Sequence, residues 1–347
     1  MIVESIRKVV DRKDLTRDEA FAVMDAIMSG QATDAQIAAF LTALRMKGET
    51  VEELIGFARV MREKVSPVKT RARVQTSLSG TDREMLVDTC GTGGDATGTF
   101  NVSTATAFVV SGAGIPVAKH GNRSVSSLCG SADVVEALGV RLDLSPERVG
   151  RCVDEVGIGF CYAPLLHKAM KFVMLARREI RIRTVFNILG PLTNPAHATA
   201  QVIGVYDGAL TEVMAQVLKE LGTARAFVVH GEDGLDELST TGPSRVAELW
   251  DGQIRCYTVQ PEDFGLPRVR LAELKGGSAA DNAEIIRHIL AGERGPKRDI
   301  VLLNAAAAIA AGGKAADIAA GMALAAQSID SGAARDRLAR LVEFCQG

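Results

Sequence analysis

The 347-residue sequence is poor in aromatic side chains and carries no excess of positive charge. Phe, Trp and Tyr together make up 4% of it, and the formal net charge is −2 at pH 7. Proteins that bind single-stranded nucleic acid usually stack the bases on exposed rings, and a polyanion is held by a broad field of Lys and Arg. The composition therefore argues against nucleic-acid binding, while it still permits a local site for a small anion.

The sequence also lacks cysteine pairs with C-x-x-C spacing and long apolar runs. Its six cysteines are scattered, so we expect reduced thiols in a cytoplasmic protein rather than a disulfide framework. The apolar stretch at residues 301–311 is too short to cross a bilayer, which takes about 20 residues. A polar amphipathic segment follows Met1, so we expect neither a signal peptide nor a membrane span.

What is present first is a series of helix-start signals. Three capping boxes place a Thr three residues before Glu or Gln, at Thr16 and Glu19, Thr33 and Gln36, and Thr50 and Glu53. Gly30 and Gly48 stand where helices should end. The helix after Thr33 carries an apolar stripe of Ile37, Phe40, Leu41, Leu44 and Met46. We expect a small all-α domain over residues 1–70, joined by part of 165–190.

From residue 86 onward, short apolar runs alternate with helical stretches. Strands are predicted at 86–87, 117–118, 159–163, 202–206 and 226–229, with a small β excursion at 248–259. Helices are predicted at 132–138, 147–156, 167–178, 210–221 and 300–311, with a turn at 190–195. Such alternation predicts an α/β domain over residues 71–347, in which helices flank a mainly parallel sheet.

A glycine cluster, Gly91-Thr92-Gly93-Gly94-Asp95, follows the first predicted strand. It matches neither the dinucleotide-binding pattern nor the P-loop pattern, so by itself it can be only a tight turn. Asn101, Ser103 and Thr104 fall at the start of the next predicted helix, where main-chain N–H groups attract anions. These three residues either cap that helix or bind a ligand, and the Ser103 hydroxyl is also a candidate ligand for a cation held by phosphate.

A second polar loop, Lys119-His120-Gly121-Asn122-Arg123, follows the next strand. Lys119 offers a compact charge to phosphate and Asn122 both donates and accepts, although Lys119 and Arg123 can also be ordinary surface charges. His120 is expected to be structural rather than a general base. Ser131 is predicted to be the N-cap of the following helix.

Two further features supply complementary chemistry. Asp236 and Glu237 follow a strand and, beside a phosphate, suit Mg²⁺, although adjacent acids on a loop are often merely solvated. His167 and Arg177 are predicted to share one helix. Arg177 can pair with a substrate carboxylate or form an ordinary salt bridge.

Taken in order, these motifs resemble the anthranilate phosphoribosyltransferase family over nearly the whole chain. The matching segments include residues 36–48, 91–95, 101–104, 119–123, 130–133, 183–187, 190–195 and 235–237. The resemblance implies transfer of a phosphoribosyl group from 5-phosphoribosyl 1-diphosphate to anthranilate, a step of tryptophan biosynthesis. It also implies dependence on Mg²⁺, with two ions per subunit, a homodimer formed through the helical domain, and an active site in the cleft between the domains.

The resemblance also implies roles for individual residues. Those that hold the phosphorylated sugar are Gly91, Gly94, Asp95, Thr99, Asn101, Val102, Ser103, Thr104, Lys119, His120, Gly121, Asn122, Arg123, Ser124, Val125, Ser126, Ser127 and Ser131. Ser103, Asp236 and Glu237 bind the metal, and Gly91, Asn122 and Arg177 contact anthranilate. Because the aromatic amine is neutral at physiological pH, we assign no general base and expect Lys119, Asn122 and Arg177 to act by electrostatics and positioning.

Two other functions are compatible with parts of the pattern. A pyrimidine nucleoside phosphorylase shares the architecture and a similar Lys-His-Gly-Asn loop, but it should not need the acids at 236 and 237. A non-catalytic nucleic-acid-binding relative should have a basic groove and should lack the metal ligands. Cys90, Cys129 and Lys168 depart from the family pattern, and none coincides with a residue given a role above.

Overall fold

The computed structural model describes residues 2–71, 74–76, 83–95, 97–124 and 128–347, and it begins with four helices. These are α1 (Ile2–Val10), α2 (Arg17–Met28), α3 (Asp34–Lys47) and α4 (Val51–Lys64). All three predicted capping boxes are confirmed, because each Thr hydroxyl accepts the N3 amide while the N3 side chain accepts the Thr N–H. Gly30 and Gly48 follow α2 and α3 with φ of 73° and 89°, a region that favours glycine.

The predicted apolar stripe of α3 is confirmed except at its last residue. Ile37, Phe40, Leu41 and Leu44 are buried, whereas Met46 is 67% exposed. Met46 lies two residues beyond Leu44, a rotation of about 200° around the helix axis, so it faces away from the buried side. Its inclusion in the stripe was wrong.

A seven-stranded sheet forms the centre of the remaining chain. Its strands are β3 (Val87–Gly91), β4 (Val117–Gly121), β5 (Ile158–Tyr162), β6 (Ala200–Gly204), β7 (Arg225–Gly231), β8 (Ser244–Trp250) and β9 (Gln253–Val259), while β1 (Val74–Thr76) and β2 (Arg83–Met85) pair separately. In the order β5-β4-β3-β6-β7-β8-β9, the first five strands are parallel and β8–β9 is an antiparallel hairpin. The mainly parallel sheet is confirmed, and the hairpin begins at Ser244, before the predicted position.

Helices cover both faces of this sheet. They are α5 (Val102–Gly112), α6 (Ser131–Ala137), α7 (Pro146–Val156), α8 (Ala163–Leu166), α9 (Met174–Ile180), α10 (Phe186–Leu192), α11 (Leu210–Glu220), α12 (Ala279–Leu290), α13 (Pro296–Ala311), α14 (Ile318–Asp330) and α15 (Ala333–Gln346). Among the described residues, no helix is both long enough and apolar enough to span a membrane.

Alternate strand residues supply two large hydrophobic clusters, as the two-residue period of a strand requires. On β6, Val202 enters the cluster with α5, α13 and α15, whereas its neighbour Ile203 enters the cluster with α2, α3 and α4. The second cluster also takes in α9, α10 and α11. The N-terminal helices therefore share a continuous core with helices that lie beyond residue 170.

Two local predictions were wrong. Residues 167–178 do not form one helix, because a 3₁₀ turn at Lys168–Phe172 precedes α9. The His167 side chain turns to His120, and the Phe172 ring covers Gly30, so tertiary contacts interrupt a locally helical sequence. The predicted turn at 190–195 is also displaced, because Gly190 and Pro191 lie inside the last turn of α10.

Candidate active site

Three loops that follow β3, β4 and β7 meet at the carboxyl-terminal edge of the sheet, where ligands bind in open α/β folds. The Gly93 N–H donates to Asp236 Oδ2 at 2.8 Å, and the Ser103 N–H donates to Glu237 Oε1 at 3.1 Å. Lys119 Nζ donates to Ser103 Oγ at 3.3 Å. Residues separated by 143 and 134 positions in the sequence therefore form one polar cluster.

Two glycines make room for Asp236 in this cluster. A Cβ on Gly91 would lie 2.4 Å from Asp236 Oδ2, and a Cβ on Gly204 would lie 1.5 Å from the Asp236 carbonyl oxygen. A side chain at Gly204 would displace the backbone of the acid loop, and one at Gly91 would displace the Asp236 carboxylate. Gly204 was not predicted as a site residue, although a glycine at the end of an apolar strand is the usual sign of a close backbone approach.

The two acids share a crowded, negatively charged site. Burial, followed by the charge of Asp95, raises the pKa of Asp236 to about 7. Burial and the charge of Asp236 raise the pKa of Glu237 well above its ordinary value. Carboxylate and hydroxyl oxygens are the ligands that Mg²⁺ prefers, so Asp236, Glu237 and Ser103 form a suitable donor set. Across the part of the chain that the structure describes, no group of three or more His, Cys, Asp or Glu residues is arranged to hold a metal.

Lys119 lies beneath the cluster rather than on the surface. Its residue is 2% exposed, and Nζ donates to the Thr89 carbonyl oxygen at 2.5 Å as well as to Ser103 Oγ. Burial lowers the pKa of Lys119, an effect that the negative charge of Asp88 opposes. The alternative of an ordinary surface charge is therefore excluded.

Asp88 supports the lysine loop from inside the sheet, and it was not predicted. Its Oδ1 accepts the His120 N–H at 3.0 Å, and its Oδ2 accepts from Asn194 Nδ2 at 2.8 Å. Asn194 Nδ2 also donates to the Ala118 carbonyl oxygen at 2.8 Å. The available signal was the charge itself, since a carboxylate inside an apolar strand needs partners when it is buried.

The start of α5 is not capped by the predicted side chains. Asn101 occupies the N-cap position without a capping hydrogen bond, and its Oδ1 accepts from Asn282 Nδ2 at 3.0 Å. The buried Thr104 hydroxyl has no hydrogen-bond partner among the described residues. Ser103 Oγ instead accepts from Lys119, so the capping alternative is wrong for these residues. Val102 is buried and can offer a ligand only its backbone.

Asp95 and Thr99 lie in the segment between β3 and α5. The Asp95 carboxylate accepts from the Thr97 hydroxyl at 2.5 Å, and Thr99 pairs with Lys275 in an isolated bridge. At Gly94, φ is 77°, and its carbonyl oxygen accepts from Arg183 Nη2. Arg183 also lies 4.4 Å from the centroid of the Tyr206 ring. No role was predicted for Arg183, so its contact with the glycine loop is a new element of the site.

Residues 121–124 fold back over the start of α6. Ser131 is not the N-cap of α6, because that position belongs to Gly130 and Ser131 is the first helical residue. Ser131 Oγ instead accepts the Asn122 N–H at 3.2 Å. Arg123 pairs with Asp133 at 2.7 Å and with Glu136 at 3.0 Å, so its guanidinium lies against α6. Val125, Ser126 and Ser127 lie outside the described residues.

Two histidines and an arginine complete the surroundings. His120 Nε2 lies 3.1 Å from His167 Nε2, and burial lowers the pKa of His120 and that of His167, the latter to about 4. Arg177 does not share a helix with His167 but lies on α9, where its guanidinium is 5.3 Å from the Phe186 ring centroid. Burial lowers the pKa of Arg177. A pair of neutral imidazoles supports the structural interpretation of His120.

Comparison with known proteins gives consistent matches over the full chain. Residues 3–65 match the helical bundle domain of a glycosyl transferase family, and residues 83–335 match the a/b domain of a glycosyl transferase family. Anthranilate phosphoribosyltransferase from Geotalea uraniireducens is 57% identical, covering 99% of both chains, and that from Moorella thermoacetica is 56% identical, covering 100% of this chain and 99% of the relative.

Solved structures agree. The crystal structure of anthranilate phosphoribosyltransferase from Thermus thermophilus has a TM-score of 0.90 at 42% identity, covering 99% of both chains. The enzyme from Saccharomyces cerevisiae in complex with PRPP and Mg has a TM-score of 0.87 at 26% identity, covering 99% of this chain and 98% of the yeast chain. Both the helical and the α/β parts are therefore shared with these proteins.

Proposed function

We propose, since this chain belongs to the anthranilate phosphoribosyltransferase family, that it transfers the 5-phosphoribosyl group of 5-phosphoribosyl 1-diphosphate to the amine of anthranilate and releases diphosphate. The reaction is the second step of tryptophan biosynthesis from chorismate. The observation that carries the proposal is the cluster in which Asp236 and Glu237 accept the N–H groups of Gly93 and Ser103. An anion-binding backbone and a cation site therefore occupy one sheet edge.

In this proposal Ser103, Asp236 and Glu237 hold two Mg²⁺ ions per subunit, together with diphosphate oxygens and water. The donor set fits, because Mg²⁺ takes oxygen ligands and usually keeps several waters beside one or two carboxylates. The raised pKa of Asp236 fits as well, since burial beside Asp95 disfavours the ionised carboxylate unless a cation offsets its charge. Bound Mg²⁺ supplies electrostatic stabilisation of the diphosphate leaving group.

The phosphorylated sugar lies along the glycine loop, the start of α5 and the lysine loop, on the residues named from the family resemblance. The Gly93 and Ser103 N–H groups donate to carboxylates in the structure, so these carboxylates must turn away before the same N–H groups can donate to phosphate oxygens. Lys119 contributes positive charge from beneath Ser103. Metal ligation and phosphate binding thereby both depend on Gly93, Ser103, Asp236 and Glu237.

Anthranilate is held by Gly91, Asn122 and Arg177. No salt bridge joins Arg177 to an acid in the described ranges, so its guanidinium is available to a substrate carboxylate. Phe186 lies beneath it and limits its movement. The aromatic amine needs no strong base, and Lys119, Asn122 and Arg177 act by electrostatics and positioning. The site lies in a cleft between residues 1–70, with part of 165–190, and residues 71–347.

We further propose that the protein is a cytoplasmic homodimer that associates through its helical domain. Val3 and Val10 on α1 are 47% and 62% exposed, and Met46 on the neighbouring α3 is 67% exposed. A second copy would cover these side chains. All six cysteines are thiols in the structure, which suits a reducing compartment. Size-exclusion chromatography with light scattering measures the mass, and a monomer at micromolar concentration would contradict the dimer.

The proposed activity is tested by mixing the protein with anthranilate, 5-phosphoribosyl 1-diphosphate and Mg²⁺ and following the loss of anthranilate fluorescence. We expect a decay that requires all three components and stops when EDTA removes the metal. A parallel reaction with thymidine and inorganic phosphate tests the phosphorylase alternative. Phosphate-dependent cleavage of thymidine without any anthranilate reaction would overturn the proposal.

A further inference from the structure

Residues 123 and 124 are tied to α6 mainly through one carboxylate, that of Asp133, whereas the Asn122 backbone is held by Ser131 and Ala132. Asp133 Oδ1 accepts from Arg123 Nη1 at 2.7 Å. Its Oδ2 accepts the N–H groups of Ser124 at 3.2 Å and of Gly130 at 2.9 Å. Both oxygens are thus engaged, and the three donors belong to both sides of the loop that begins at Asn122 and returns at Gly130.

Gly130 permits this closure by its size. A Cβ at this position would lie 2.2 Å from the Ser124 nitrogen, 2.6 Å from the Arg123 carbonyl carbon and 2.7 Å from the Asn122 oxygen. The φ of Gly130 is −88°, which any residue can adopt, so the requirement for glycine is steric. The two sides of the loop therefore touch backbone to backbone, and Asp133 holds them together.

The neighbours of Asp133 favour its ionised form. Burial alone would raise the pKa of Asp133, but the Gly130 and Ser124 N–H groups and the Arg123 guanidinium together lower it below its ordinary value. Asp133 is therefore charged at neutral pH. Because its negative charge is matched to two amides and one guanidinium, it leaves the segment 122–124 without an unpaired charge that would repel a phosphate.

We propose that Asp133 is a positioning residue for donor binding: it fixes Arg123 and Ser124 in the conformation that contacts the phosphorylated sugar. The inference rests on the proposed function, because it assigns these two residues to the sugar diphosphate. Asp133 does not itself touch substrate. Its predicted effect falls on the donor, because Arg123 and Ser124 are assigned to the donor alone, whereas Asn122, which also contacts anthranilate, is held by Ser131 and Ala132.

The test is steady-state kinetics of Asp133→Asn in the fluorescence assay, with each substrate varied in turn. The Asn side chain has the same size but presents one oxygen and one NH₂ group. In either orientation the NH₂ group faces N–H donors, from which it cannot accept a hydrogen bond. We expect KM for 5-phosphoribosyl 1-diphosphate to rise at least 10-fold, with KM for anthranilate and kcat changed less than 3-fold. Glu136→Gln is the matched control, because it removes the other carboxylate partner of Arg123 without touching a backbone N–H.

A second variant guards against loss of folding in the first. Gly130→Ala should raise the same KM by steric displacement of residues 122–124, whereas Gly242→Ala, with open space around it, should not. A wild-type KM for the donor in both Asp133→Asn and Gly130→Ala, or an equal rise for both substrates in Asp133→Asn, would overturn the inference. An inactive wild-type protein would instead overturn the proposed function, so the two failures are distinguishable.

Discussion

At the scale of single residues, pairing with neighbouring groups decides which charges remain available to a substrate. Lys119 is buried, and its Nζ donates hydrogen bonds to the Thr89 carbonyl oxygen and to Ser103 Oγ. Arg123 is paired with two acids on α6. Arg177 differs from both, because its described contacts are with the Phe186 ring and its own helix backbone. It is therefore the arginine best placed to recognise an external carboxylate.

Arg177→Ala should weaken anthranilate use while leaving donor use intact. Loss of a charge-assisted pair costs roughly 1.5–3 kcal/mol, which corresponds to about a 10- to 150-fold fall in kcat/KM for anthranilate. The KM for 5-phosphoribosyl 1-diphosphate should stay within about 2-fold of wild type. Arg178→Ala, at an exposed neighbouring position on α9, is the control. Equal weakening of both substrates would show that Arg177 does not recognise the acceptor.

At the scale of secondary-structure elements, capping residues also tie the helical part together. Glu53 is the N3 residue of α4, and it closes a capping box with Thr50. The same carboxylate accepts the Leu15 N–H at 2.9 Å and pairs with Lys47 at 2.9 Å. The Glu53 side chain is 0% exposed and that of Lys47 is 4% exposed, so one acid joins three segments inside the bundle.

Glu53→Ala should destabilise the protein far more than the same change at its neighbour. Removing one partner of a buried ion pair costs roughly 3–5 kcal/mol. Without Glu53, Lys47 keeps only its pair with the exposed carboxylate of Asp14. Glu52 forms a pair with Arg17 in which its side chain is 55% exposed, and Glu52→Ala should have little effect. Urea unfolding followed by circular dichroism measures both. Similar midpoints for the two variants would contradict a structural role for the Glu53 network.

At the scale of the whole molecule, sequence patterns predicted the features of the fold that depend on neighbouring residues. The capping boxes and the alternation of strands and helices could be predicted because each depends on residues close in sequence. The parallel sheet followed from that alternation, since strands joined by crossover helices run in the same direction. The helix across residues 167–178 was wrong because His167 contacts a residue 47 positions away. The roles of Asp88, Gly204 and Arg183 were not predicted for the same reason, since their partners are distant in sequence and meet them only in the folded protein.

The same scale explains why the proposed active site is costly to the fold. Asp236 and Glu237 are held beside Asp95 at the sheet edge, and Lys119 is the cation that opposes them most directly. Like charges gathered in a partly buried site destabilise the folded state unless a cation is bound. Stability without metal and activity with metal are therefore expected to conflict at these positions.

Glu237→Gln should accordingly make the metal-free protein more stable and the enzyme inactive. The amide keeps the size of the side chain and an oxygen that can still accept the Ser103 N–H, but it removes the acid whose ionisation burial and Asp236 oppose, as the raised pKa of Glu237 shows. We expect the free energy of unfolding in EDTA to increase by about 0.5–2 kcal/mol, the range typical of stabilising substitutions.

Adding Mg²⁺ with 5-phosphoribosyl 1-diphosphate should raise the unfolding temperature of the wild type and leave that of the Glu237→Gln variant nearly unchanged, because only a ligand bound to the folded state stabilises it. Calorimetry of both proteins, with exposed Glu232→Gln as the control, measures the two effects. A metal-free variant less stable than wild type, or one that still responds to Mg²⁺ and the donor, would show that Glu237 is a structural residue and not a metal ligand.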